Sequence, residues 1–60
     1  MSPREHQILA LLRAGKTFKE IGASLDISER TVEHHLERLR QRFHQPRMHA
    51  LVDYLQKHGL

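Results

Sequence analysis

The chain has 60 residues, ten Lys plus Arg against seven Asp plus Glu, a formal net charge of +3, six His and no Cys. So short a chain builds one small core and buries only roughly 60% of its unfolded surface, too little scaffold for an elaborate enzyme site. The absence of thiols excludes disulfides and thiolate metal sites. No apolar run approaches the ~18 residues of a membrane span, and no charged-then-apolar targeting segment opens the chain. The expectation is one soluble, cytoplasmic domain over residues 1–60, with no membrane partner and a mild leaning toward polyanions.

Four apolar-periodic segments follow one another without a linker. In "SPRE", Ser2 suits an N-cap, Pro3 the first helical position, and Glu5 completes a capping box. Ile8, Leu9, Leu11 and Leu12 then form a helical stripe, and Gly15 suits a left-handed C-terminal cap. "TFKE" repeats the logic, with Thr17 capping and Glu20 answering it. Phe18, Ile21 and Leu25 share one side, while Gly22 and Ala23 are small enough for a close helix crossing. After a turn of about four residues, Ser28 is the expected N-cap of a third helix, with Ile27 as a hydrophobic staple. Val32, Leu36, Leu39 and Phe43 recur at spacings of four, three and four. "HQP" breaks this helix. Pro46 is expected to start a fourth, striped by Met48, Leu51, Val52 and Leu55 and closed by Gly59. Strand and hairpin signals are missing, so the chain is expected to be all-α. The helix-turn-helix pair spans about 17–43 and the last helix about 46–58.

At about 100° per residue, the third helix turns Val32, Leu36, Leu39 and Phe43 inward. His34 and Gln41 face out, beside Arg30 and Glu37. Glu29, Glu33 and Glu37 form an acidic column; Arg30, His34, Arg38 and Arg42 form a basic one beside it. Such columns often serve only as a solvated surface braced by pairs such as Arg30 with Glu33, each contributing a few tenths of a kcal/mol. In a helix-turn-helix, however, the outward side of the second helix is the part that enters the major groove.

Other chemistries find little support. His34 with Glu37 has the spacing of helical metal ligands, but two ligands do not make a site. Ser2, Ser24 and Ser28 have no companion base and acid, and no Gly-rich phosphate loop is present. Neither an enzyme, a metal site nor a cofactor is expected.

"SPREHQILALLRAGKTFKEIGASLDISERTVEHHLERLRQRF" followed by "PRMHALVDYLQKHGL" resembles the LuxR-type (GerE-like) helix-turn-helix domain of bacterial transcription regulators, response regulators among them. The match covers nearly the whole chain. It implies a four-helix bundle that binds double-stranded DNA, in the nucleoid, with helix 29–43 in the major groove. By match to the family pattern, Arg30, Glu33, His34 and Glu37 are expected at base edges. Thr17, Lys19, Ser28, Thr31, Arg38 and Arg47 are expected at phosphates. The fourth helix commonly dimerises in this family, which makes Tyr54, Leu55 and His58 candidates for a homodimer contact, with RNA polymerase a further candidate partner. The chain departs from the pattern in three places. Glu33 stands where Lys is usual, Glu37 where Lys, Ser or another small polar residue is common, and His44 where glycine is usual, so a different end to the third helix is expected.

A carboxylate in the groove accepts from cytosine N4 and is repelled by phosphates, so Glu33 and Glu37 are expected to favour cytosine and to weaken nonspecific binding. Two rivals share the pattern. A sigma-factor region-four-like promoter reader usually ends soon after its third helix. A helix-turn-helix reused for protein interaction or dimerisation would explain the acidic column.

Overall fold

A computed structural model describes residues 1–59; Leu60, the last residue of the expected domain and of the "PRMHALVDYLQKHGL" stretch, lies outside the described residues. Four helices follow in order: α1 (Pro3–Arg13), α2 (Phe18–Leu25), α3 (Glu29–Arg42) and α4 (Met48–Lys57). The described residues contain no strand.

The N-caps of α1, α2 and α3 fall where the sequence places them. Ser2 Oγ accepts from Glu5 N–H at 3.2 Å and Ser2 N–H donates to Glu5 Oε1 at 2.9 Å. Thr17 and Glu20 make the same reciprocal pair at 3.1 and 2.8 Å. These boxes satisfy amide donors that a helix start otherwise leaves to water. Gly15, at φ +87°, ends α1: its N–H donates to Leu12 O and that of Lys16 to Leu11 O, a Schellman closure.

The core joins all four helices. Ile8, Leu9, Ile21, Val32, Leu36, Leu39, Leu51 and Leu55 are at most 2% exposed. Half-buried Phe18, Leu25, Ile27, Phe43 and Met48 pack around them. Each fully buried aliphatic side chain contributes about 1.5–3 kcal/mol. No buried side-chain polar atom lacks a partner among the described residues.

The turn between α2 and α3 is tighter than expected. Only Asp26, Ile27 and Ser28 separate the two helices. Asp26 takes the left-handed conformation at φ +57°, and Ile27 N–H donates to Gly22 O at 2.9 Å. A Cβ on Gly22 would lie 2.7 Å from Ile27 O and 3.3 Å from Glu29 N. The small residue expected for a helix crossing therefore serves a closer contact, helix against turn backbone. Arg4 adds a brace from α1, its Nη1 donating to Leu25 O at 3.2 Å.

Two expectations about the far end of α3 are corrected. His44 does not alter how the helix ends; it adopts the glycine-like conformation itself, at φ +56°. His44 N–H reaches Gln41 O and Gln45 N–H reaches Arg40 O, again a Schellman closure. Pro46 does not start α4. Arg47 has an extended backbone (φ −157°, ψ 167°) and becomes the N-cap, so the helix opens two residues later, at Met48.

Three outcomes follow from this geometry. Gly22→Ala should destabilise the domain by about 1–3 kcal/mol in urea unfolding, because the obstructing atom is backbone and cannot swing aside. His44→Gly should raise stability by up to about 1 kcal/mol in the same assay, relieving a left-handed non-glycine residue at a small entropic cost. Hydrogen bonding to the Ser2 and Thr17 amides holds the Glu5 and Glu20 carboxyls below their ordinary pKa of 4.5. A depressed folded pKa gives stability that is present above 4.5 and lost as pH falls through the folded value. The thermal midpoint should therefore drop as the solution is acidified below 4.5. A Glu5→Gln, Glu20→Gln double variant, which keeps the boxes but not the titration, should respond less steeply.

Candidate nucleic-acid interface

The core holds α3 by one side. Val32, Leu36 and Leu39 are buried, so the opposite side must face solvent. Arg30, Glu33, His34, Arg38 and Gln41 are exposed there. His35 is half-buried on the edge where Glu5 of α1 approaches, and Arg42 also lies close enough to favour the Glu5 charge. The helix carries four arginines and three glutamates, a net charge of +1.

Of the four expected base readers, Arg30, Glu33 and His34 stand free on this outward side, with no ion pair among the described residues. Glu37 is different. It pairs with Arg40 through two hydrogen bonds: Arg40 Nε donates to Glu37 Oε2 at 3.0 Å, and Arg40 Nη2 donates to Glu37 Oε1. Gln41 Nε2 lies 3.5 Å from the same Oε1. Arg40 also donates through Nη1 to Gln45 O at 2.8 Å. Hydrogen bonds from Arg40 hold the Glu37 carboxyl below its ordinary pKa, outweighing desolvation. Arg30 and Glu33 form no ion pair among the described residues; on α3 the pair formed is Glu37 with Arg40. Arg40 was not among the expected site residues. Its three-residue spacing from Glu37 was visible in the sequence, but its bond to Gln45 O depends on the turn at His44.

The expected phosphate ligands lie on helix starts and exposed flanks. Thr17 and Ser28 are the N-caps of α2 and α3. Ser28 Oγ accepts from Thr31 N–H at 3.0 Å and lies 2.8 Å from Thr31 Oγ1. One hydroxyl proton joins the two oxygens, leaving the other to donate outward. Lys19, Arg38 and Arg47 are exposed. Arg47 caps α4 with its backbone alone, so no cap bond occupies its guanidinium.

One dimer candidate is corrected. Leu55 is fully buried in the monomer core, because α4 turns Leu51 and Leu55 inward together. It offers no surface to a partner. Tyr54 is half-buried, its ring packed at a tilt between Phe43 at 5.4 Å and the exposed His58 at 4.3 Å. Among the described residues, no three His, Cys, Asp or Glu side chains are grouped to hold a metal ion, and no helix is long and apolar enough to cross a membrane.

Comparison with known proteins places this geometry in a family. Residues 1–55 match the GerE family, described as bacterial regulatory proteins of the luxR family. The chain is 50% identical over 42 residues to YhjB of Escherichia coli (strain K12), provisionally named an HTH-type transcriptional regulator, a match covering 70% of the chain and 21% of that protein. It is 35% identical over its full 60 residues to the transcriptional regulatory protein MctR of Rhizobium johnstonii, spanning 28% of that protein. It is 47% identical over 36 residues to the transcriptional activator protein CarR of Pectobacterium carotovorum, a match covering 60% of the chain and 15% of that relative. The chain thus spans well under a third of the length of these relatives. No solved structure matches the chain significantly. With residues 1–55 matching the family model, the chain belongs to the luxR family of bacterial regulatory proteins, as a helix-turn-helix domain of transcriptional regulators.

Proposed function

We propose that this domain reads double-stranded DNA in a sequence-specific manner, with α3 in the major groove. The observation that carries the reading is the two-sidedness of α3: Val32, Leu36 and Leu39 fix it to the core, and Arg30, Glu33 and His34 stand uncovered opposite. Arg30 is suited to guanine, whose O6 and N7 accept a bidentate guanidinium. His34 donates or accepts according to its protonation. Glu33, an exposed anion, disfavours phosphate contact and therefore weakens binding to unselected sequences. Thr17, Lys19, Ser28, Thr31, Arg38 and Arg47 supply hydroxyls and cations for the backbone of the duplex, which set register without reading sequence.

The whole regulator is proposed to act as a homodimer on two half-sites, with Tyr54 and His58 on the exposed side of α4 in contact. The two rings pack at 4.3 Å with a 37° tilt, and tyrosine is enriched at protein interfaces.

The test is fluorescence anisotropy of the purified domain with a randomised duplex library, followed by sequencing of the bound DNA. Neutralising roughly four to six phosphates per domain gives a log–log salt slope of about −4 to −5. Lys19→Ala should weaken binding to all sequences alike and reduce that slope by about 1, whereas Arg30→Ala should relax preference at one base pair. No binding at low salt would overturn the reading.

A further inference from the structure

The two glutamates on the outward side of α3 are not equivalent. Glu33 is exposed and unpaired among the described residues, whereas Glu37 is tied down. Arg40 spends two donors on the Glu37 carboxylate and a third on Gln45 O. That carbonyl lies just beyond the His44 turn, so the carboxylate is referenced to fixed backbone and not merely to another mobile side chain. The Arg40 side chain is 25% exposed, and that of Glu37 44%, so Glu37 remains open to solvent on its outer side.

Three properties follow for Glu37. It stays ionised, and an ionised carboxylate only accepts. Of about four lone-pair positions, the two Arg40 bonds and the Gln41 approach use three, which leaves one on Oε2. Its charge is compensated by Arg40, so bringing it between phosphates costs less than bringing in Glu33. A fixed anionic acceptor in the major groove is matched by the cytosine N4 amino group, and opposed by the acceptor edge of guanine, by thymine O4 and by the N7 acceptor beside the adenine N6 amino group.

We propose that Arg40 is a specificity-positioning residue: by bridging Glu37 to the Gln45 carbonyl, it presents Glu37 as a charge-compensated acceptor that selects cytosine at one base pair. The proposal rests on the DNA-reading function above.

The library selection is repeated with Arg40→Ala and Glu37→Gln, and the thermal midpoint of each variant is measured alongside. Arg40→Ala should relax the cytosine preference at one position about five- to tenfold. Other positions keep their preference, and affinity falls otherwise only by a uniform phosphate term. Glu37→Gln leaves the Arg40 contact to Gln45 O available, so it decides the matter if Arg40→Ala loses too much stability. It should move preference at that position from cytosine to adenine, whose N6 and N7 suit an amide. Wild type that binds no duplex at low salt would sink the DNA-reading function and this proposal with it. Salt-sensitive wild-type binding with an enriched motif would leave the DNA reader standing, but the role of Arg40 is overturned if a folded Arg40→Ala keeps the cytosine preference, or if neither variant changes any cytosine position.

Discussion

The approach of Gly22 to the backbone at Ile27 and Glu29 is the contact on which the rest of the domain depends. At this spacing no side chain fits between helix and turn, and any displacement would carry α3 with it. The left-handed Asp26 and the bond from Ile27 N–H to Gly22 O close the turn in three residues. The angle between α2 and α3 is thereby set by backbone against backbone. Capping by Ser28, anchoring by Val32 and the brace from Arg4 all act on a helix already placed.

From that placement the electrostatics of α3 acquire direction. In isolation, four arginines and three glutamates on one helix largely cancel. In the fold they divide. Arg42 lies toward Glu5 on one edge, Arg40 and Glu37 neutralise each other on the other, and Arg30 and Arg38 remain exposed with Glu33. An exposed ion pair between two flexible chains is worth little, but Arg40 also holds a backbone carbonyl, so part of its ordering cost is shared among three bonds. The pair is therefore better understood as geometry than as stability.

The C-terminal helix serves the monomer first. Leu51 and Leu55 complete the core under α3, which accounts for the persistence of an apolar fourth helix in so small a domain. On the outer side of α4, Tyr54 and His58 pack ring against ring at 4.3 Å.

The sequence by itself determined the number of helices, the N-caps of the first three and the sides of α1, α2 and α3 that turn inward. These are local properties: a capping box needs residues three apart, and an apolar stripe needs only a period. Ser2 with Glu5, Thr17 with Glu20, and Val32 with Leu36 and Leu39 were legible for that reason. It also located Arg30, Glu33 and His34 on the outward side of α3, because one helical wheel suffices. Contacts that join distant backbone were decided by the tertiary structure alone. Leu55 belongs to the core because α3 lies over it, and a single-helix period does not say which of several apolar residues a neighbour covers. His44 occupies a conformation that side chains ordinarily avoid, because the path into α4 requires a left-handed residue there. Arg40 reaches Gln45 O only because that turn folds the carbonyl back toward it.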